Sequence, residues 1–124
     1  LIDTLVNPNR EIPFYAINVH GITDEMVRNV PTLPKLLPEI NTIIKGKILV
    51  IYNSNFDTQF FLDRLSKSKD IFCAMRSYSK FLGNKKWIKL IDAAKDVGHV
   101  WEGNAHRALA DTKACRSVWN YINI

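Results

Sequence analysis

The sequence predicts an α/β fold, in which short strands alternate with amphipathic helices. Residues 48–52 form a continuous apolar run, Ile-Leu-Val-Ile-Tyr, which is typical of a strand buried on both faces. Apolar residues recur at helical spacing before this run, at Leu36, Ile40 and Ile44, and again near the C-terminus. The alternation of the two patterns indicates a layered α/β domain.

The first thirty residues are predicted to contain a strand end, two turns and one short helix. The apolar and β-branched residues 1–6 predict the end of a strand, which the Asn-Pro-Asn turn at 7–9 breaks. Residues 12–19 are predicted to be irregular around their proline, and His20-Gly21 marks a turn. Thr23 is a favourable N-cap, and two acidic residues follow it in what would be the first turn of a helix.

Four longer helices are expected further along the chain. The first includes residues 36–44 and ends at the glycine that follows, and the second runs from about Asp57. A third presents one apolar face through residues 87–97, and the last covers residues 109–122. Residues 71–75 fit either a strand end or a loop, and the sequence pattern does not decide between them.

Composition sets the broad class of the protein. The chain has 124 residues, enough for one domain with one core, and its apolar fraction of 47% argues against disorder. No apolar run approaches the length of a membrane-spanning helix. Cys73 and Cys115 match no zinc or redox spacing, so two reduced core thiols in a cytoplasmic protein are expected. The net charge of +5 suits a polyanionic partner without requiring one.

Two polar segments occupy positions where an α/β fold can carry chemistry. Residues 53–57, Asn-Ser-Asn-Phe-Asp, follow the predicted strand, and functional groups gather at the C-terminal ends of strands. The alternative is that Asp57 caps the next helix. His106 precedes Asp111 by five residues, which is about 140° beyond a full helical turn, so the pair converges only if His106 lies on the preceding loop. Asp111 also has a simpler explanation, because acids stabilise the first turns of helices.

These segments, with a third, resemble in order and spacing the motifs of the DEDDh (DnaQ-like) 3′→5′ exonucleases of the ribonuclease H-like superfamily. The family's second motif is roughly His-Asn-x-x-Phe-Asp, and residues 52–57 are Tyr-Asn-Ser-Asn-Phe-Asp. Its third motif is His-x-x-x-x-Asp, and residues 106–111 are His-Arg-Ala-Leu-Ala-Asp. Upstream, Leu-Val-Asn-Pro, Ile-Pro and His-Gly-Ile-Thr occur in the family's order within residues 5–23. The chain is similar to exonuclease domains of the DNA polymerase III epsilon type, which implies a three-layer fold with a mixed central sheet and helices on both faces.

The resemblance also implies a site. Four acids hold two divalent ions, Mg²⁺ or Mn²⁺, in this family, and Asp57 and Asp111 match the third and fourth acids. His106 matches the general base, a role that histidine side chains often fill near neutral pH. The residues expected beside the substrate are His20, Gly21, Ile22, Asn53 and Phe56.

The first two acids of the family belong to an Asp-x-Glu motif on its first strand, and this sequence has no such motif. Residues 1–6 instead match the family's third strand. We therefore expect residues 1–124 to form a single exonuclease domain that lacks its first two strands, and expect the 124 residues alone to have negligible activity. The intact mass of the purified protein tests the expectation that further residues precede this chain.

Two departures from the family pattern bear on the assignment to a subfamily more than on the expected chemistry. Tyr52 replaces the usual histidine of the second motif, and little effect is expected because it is not a metal ligand. An Asp-Thr pair that the family often has near residues 73–76 is absent.

A basic stretch from Lys67 to Lys89 carries seven cationic residues, including Lys85 and Lys86, and one acid. Aromatic residues are interleaved with them, so the stretch could bind a single strand, or it could be a solvated surface over aromatic core residues. Exchanging Lys85 and Lys86 for Glu should weaken oligonucleotide binding if the first interpretation is right.

The predicted function is a metal-dependent 3′→5′ exonuclease that acts on single-stranded DNA ends in proofreading or repair, with a DNA polymerase as a candidate partner. The alternatives are an exoribonuclease of the same family, a catalytically inactive nucleic-acid-binding remnant, and an unrelated α/β domain with coincident motifs. The joint presence of Asp57, His106 and Asp111 argues against the inactive remnant.

Overall fold

The computed structural model describes residues 2–83 and 86–124, with the side chain of Leu62 also left out. Two compact units follow each other along the chain, Leu1–Ile43 and Ile44–Ile124. Helices and a small parallel sheet make up the structure, which confirms the predicted α/β class. No helix in the described part of the chain is long and apolar enough to cross a membrane.

The first unit is helical. Its helices are α1 (Phe14–His20), α2 (Asp24–Val27) and α3 (Leu33–Ile44), the last of which ends at the first residue of the second unit. The predicted turn and cap are both confirmed: Gly21 ends α1 with φ of 70°, and the Thr23 hydroxyl oxygen accepts the backbone N–H of Met26 at 3.3 Å.

Two predictions for this unit are wrong. Residues 2–6 form no strand, and Leu1 lies outside the described residues; only Asn7 pairs, in an isolated parallel bridge with Thr32. β-branched residues do not make a strand without a neighbouring strand to complete the ladder. Residues 12–19 are not irregular, because α1 begins directly after Pro13. A proline before the first turn removes no helical hydrogen bond, since the first N–H groups of a helix have no partner within it.

The second unit contains the sheet. Strands β1 (Ile48–Ile51) and β2 (Asp70–Cys73) are parallel, with Ile48 opposite Asp70 and Ile51 opposite Cys73. The connection between them holds helix α4 (Ser54–Phe61) and a 3₁₀ turn at Leu62–Leu65. The helices that follow are α5 (Ala74–Phe81), α6 (Leu90–Asp96) and α7 (Ala108–Ile122).

Three expectations for this unit need correction. β1 is not buried on both faces: Ile48 is 49% exposed, and the other three residues of the strand are only partly buried. The undecided segment 71–75 divides into the end of β2 and the start of α5. Trp87 lies before α6 and not on its face.

The core of this unit lies where α5, α6 and α7 meet, at Tyr78, Ala93 and Val118. Tyr52 packs against it, and its hydroxyl donates a hydrogen bond to the backbone carbonyl of Ile88. This bond ties the C-terminal end of β1 to the segment that leads into α6. Both cysteines are free thiols, as predicted, although Cys73 is only half-buried.

Candidate active site

The turn after β1 brings Asp57 toward the end of the sheet. Asn53 has a left-handed backbone conformation, with φ of 59°, which asparagine tolerates better than most residues. The chain thereby reverses directly from β1 into α4, which begins at Ser54. Asp57 lies inside α4, so the alternative that Asp57 caps this helix is wrong.

The loop before α7 carries His106. This residue also has a left-handed conformation, with φ of 68°, and α7 begins two residues later at Ala108. The backbone N–H of His106 donates to Oδ1 of Asp111 at 3.1 Å. His106 therefore lies on the preceding loop, the one position from which the sequence spacing allowed the two side chains to converge.

One cavity joins the three residues that the motifs singled out. It has a volume of about 520 Å³ and is lined by Asp57, His106 and Asp111. The remaining lining comes from the end of β1, the start of α6 and the first turns of α7, at Val50, Ile51, Tyr52, Leu90, Ala108, Thr112 and Cys115. Two carboxylates and one imidazole thus line a single space at the C-terminal end of a strand.

The surroundings of this cavity disfavour negative charge. Burial raises the pKa of the Asp57 carboxyl, and a hydrogen bond from its own backbone N–H only partly offsets this effect. Burial also raises the pKa of the Cys115 thiol to about 11, with a smaller contribution from the charge of Cys73. Burial likewise raises the pKa of Tyr52. A cation bound in the cavity would relieve the unfavourable ionisation of Asp57.

A second cavity, of about 450 Å³, adjoins the first and shares Tyr52, Leu90, His106 and Asp111 with it. Its own lining is mainly aromatic and aliphatic and consists of Asn53, Met75, Trp87, Ile88, Lys89, Ile91, Trp101 and Ala105. Trp101 was not predicted as a site residue, because a single aromatic residue in a loop forms no recognisable pattern in the sequence.

The other residues predicted beside the substrate are distributed differently. Asn53 lines the second cavity, whereas Phe56 lines neither cavity and packs edge-on against Phe60 with ring centroids 5.4 Å apart. His20 and Ile22 line a cavity of about 300 Å³ within the first unit. Gly21, between them, ends α1.

The cationic residues of the basic stretch are exposed wherever they are described, and Lys85 lies outside the described residues. Tyr78 is the core residue of the stretch, at 2% exposure, whereas Phe81 and Trp87 are 54% and 64% exposed. The interpretation as a surface over aromatic core residues therefore holds for Tyr78 and not for the other two. The exposed bases are Lys67, Lys69, Arg76, Lys80, Lys86 and Lys89.

The donor set of the first cavity fits a hard divalent cation. Mg²⁺ is usually held by one or two protein carboxylates, with water and substrate phosphates completing its shell. Asp57 and Asp111 supply two such carboxylates in one cavity. Within residues 2–83 and 86–124, no group of three or more His, Cys, Asp or Glu side chains is arranged to hold a metal.

Comparisons with known proteins show the family and the fold. The model of an exonuclease family, RNase T, matches residues 1–118. The chain is 35% identical to a protein of Escherichia phage 186 named "Uncharacterized exonuclease CP81", with 99% of the chain and 71% of that protein covered. It is 30% identical to the DNA polymerase III subunit epsilon of Treponema pallidum, of which it spans 57%. Exonuclease X, solved in complex with 5′ overhanging duplex DNA, superposes with a TM-score of 0.76 at 23% identity, over 96% of this chain and 70% of that one.

Proposed function

Because this chain belongs to the exonuclease family whose model matches residues 1–118, we propose that it is a metal-dependent exonuclease that removes nucleotides from 3′ ends of DNA. The observation that carries the proposal is the shared cavity of Asp57, Asp111 and His106, which come from two segments that lie far apart in sequence. An unrelated α/β domain with coincident motifs has no reason to bring them together.

Asp57 and Asp111 are the residues that would hold the cation, Mg²⁺ or Mn²⁺, through their carboxylate oxygens. When bound, divalent ions stabilise charge on the phosphoryl oxygens and lower the pKa of a coordinated water. Asp111 has a second role through its hydrogen bond to the N–H of His106, because this bond holds the loop on which the imidazole is carried.

His106 is proposed as the general base. Its neutral imidazole accepts a proton from the attacking water while the water oxygen forms a bond to phosphorus. The bond from phosphorus to the 3′ oxygen of the preceding nucleotide breaks, that oxygen is protonated, and a nucleoside 5′-monophosphate is released. The exposed position of His106 on the rim of the cavity lets the proton then pass to solvent.

Hydrolysis of end-labelled oligonucleotides tests this proposal. A protein that carries this chain together with the family's Asp-x-Glu motif should shorten a 5′-labelled DNA strand in single-nucleotide steps, whereas the 124 residues alone are expected to show negligible hydrolysis. In the active protein, Asp57→Asn and His106→Ala should each lower the rate about 10²-fold to 10⁴-fold. Asp63→Asn is the matched control, because Asp63 is exposed in the 3₁₀ turn after α4 and lines neither cavity. Equal rates for Asp57→Asn and the control would refute the site assignment.

The same assay separates the alternatives. A matched RNA strand that is digested faster than DNA would favour the exoribonuclease, and release of nucleotides from the 5′ end would refute the polarity. A protein that binds oligonucleotides without digesting them in Mg²⁺ or Mn²⁺ would be the inactive remnant.

Metal binding has a readout that does not depend on activity. Calorimetric titration of the protein with Mn²⁺ should show binding. Asp57→Asn and Asp111→Asn should weaken this binding, and Asp63→Asn should leave it unchanged. Equal Mn²⁺ affinity in all four proteins would remove these carboxylates from the metal site.

A further inference from the structure

The second cavity has features that catalysis at the first one does not require. Two indole rings, those of Trp87 and Trp101, line it, and Ile88 and Ile91 add aliphatic surface. It shares His106 and Asp111 with the first cavity. A molecule that reacts in the first cavity can therefore extend into the adjoining second one.

Both indole rings are held by neighbouring side chains. The ring of His99 meets Trp101 edge-on, with centroids 5.1 Å apart and an interplanar angle of 85°, and His99 Nδ1 is 2.8 Å from the hydroxyl oxygen of Ser117 on α7. The guanidinium of Arg76 lies 5.6 Å from the centroid of the Trp87 ring. Rings fixed in this way lose little conformational freedom when a planar ligand stacks on them.

Cationic side chains lie at and beside the cavity, although Asp111 also lines it. Lys89 lines it, and the exposed Arg76 and Lys86 lie beside Trp87 in space or in sequence. Flat aromatic surfaces combined with cationic side chains are the usual means of binding single-stranded nucleic acid, because every base has a stacking face and every link carries a phosphate.

From these observations we propose that the second cavity binds a nucleobase next to the scissile phosphate, stacked against Trp101 and Trp87. The proposal rests on the proposed exonuclease function, since it assigns the occupant from the substrate of the adjoining cavity. It makes the two tryptophans substrate-positioning residues, and it predicts preference for an unpaired 3′ end, because a paired base is not free to enter.

Equilibrium binding in EDTA tests the subsite without any turnover. Fluorescence anisotropy of a labelled single-stranded DNA should show that Trp101→Leu and Trp87→Leu each raise the Kd about 5-fold to 150-fold. Trp101→Phe and Trp87→Phe keep an aromatic face and should lose much less. Trp119→Phe is the control, because Trp119 stacks on Phe72 with centroids 5.9 Å apart and lines neither cavity.

An abasic scan identifies the ligand group and leaves the protein intact. Three strands are compared, each lacking the base at one of the last three positions. One of these strands should bind wild type more weakly than the normal strand does, by a factor similar to the loss in the leucine variants. To that strand the leucine variants should bind no worse than wild type. If every abasic strand binds wild type as tightly as the normal strand does, the subsite is refuted, whether or not the leucine variants fold.

The outcomes separate the subsite from the catalytic proposal. Unchanged hydrolysis by Asp57→Asn, together with the abasic effect, would refute the catalytic assignment and leave the subsite standing. Loss of hydrolysis in Asp57→Asn, with leucine variants that bind every strand like wild type, would refute the subsite alone. Absence of oligonucleotide binding by wild type in EDTA, together with no hydrolysis in Mg²⁺ or Mn²⁺, would overturn both.

Discussion

The backbone at His106 gives a quantitative test of how the site is built. With φ of 68°, this residue occupies the left-handed region, which costs an L-residue about 1–2 kcal/mol and costs glycine almost nothing. His106→Gly removes that strain together with the imidazole. His106→Ala removes the imidazole and keeps the strain, so the difference between the two variants isolates the backbone contribution.

The expected difference follows from two opposing effects. Glycine gains about 1–2 kcal/mol in the folded state, but loses about 0.4–1 kcal/mol because its unfolded chain has more freedom than that of alanine. His106→Gly should therefore be more stable than His106→Ala by about 1 kcal/mol, or a few degrees in Tm. Ala108→Gly, two residues later at the exposed start of α7, should have the opposite sign and destabilise by about 0.5–1 kcal/mol.

Thermal unfolding of the four proteins, followed by circular dichroism, measures these differences in one experiment. Both His106 variants should also lose hydrolysis to the same extent, because neither keeps the imidazole. If His106→Ala is more stable than His106→Gly, His106 does not have the left-handed backbone conformation. If the glycine variant alone keeps activity, the imidazole is not the base.

Three further predictions concern stability. Burial raises the pKa of the Asp57 carboxyl, so protonated Asp57 favours the folded state and ionised Asp57 opposes it. The favourable contribution is fully present below the unfolded pKa of about 3.9 and is lost as pH rises through the higher folded pKa. In EDTA, Asp57→Asn should therefore raise Tm at pH 7, and this gain should disappear in acid. A gain that is independent of pH would contradict this. Thr23→Ala removes the oxygen that accepts the Met26 N–H and should cost about 1 kcal/mol in denaturant unfolding, whereas Thr23→Ser should restore most of it. Tyr52→Phe leaves the Ile88 carbonyl without its donor and should cost about 1–2 kcal/mol, and a wild-type midpoint in urea would show that this bond contributes nothing.

The sequence predicted those elements whose signals are local. Helix α7, the Thr23 cap and the turn at Gly21 each depend on residues within one or two turns of each other. The loop position of His106 also followed from spacing, because five residues do not bring two side chains to one helix face. These features are determined by covalent geometry and hydrogen bonding within a short segment.

Features that depend on tertiary contact were not predictable in the same way. Helix α5 is an exception, because Ala74, Met75 and Tyr78 recur at helical spacing and form its buried face, so a local pattern could have predicted it. β1 was predicted to be buried on both faces because its composition is apolar, but burial depends on which elements cover a strand. Trp101 was overlooked for the same reason, since a single aromatic residue in a loop has no periodicity to mark it.

At the strained backbone positions, local conformation depends on tertiary contacts. Three non-glycine residues of the described chain have positive φ, and two of them, Asn53 and His106, line the second cavity. Such conformations persist only where surrounding contacts hold them, and here the Asp111 carboxylate holds the N–H of His106. Each of these residues lies at the entry to a helix, α4 or α7, that carries one of the two carboxylates. A less strained loop would turn the chain elsewhere, so the strain at Asn53 and His106 is the structural cost of bringing Asp57 and Asp111 to one cavity.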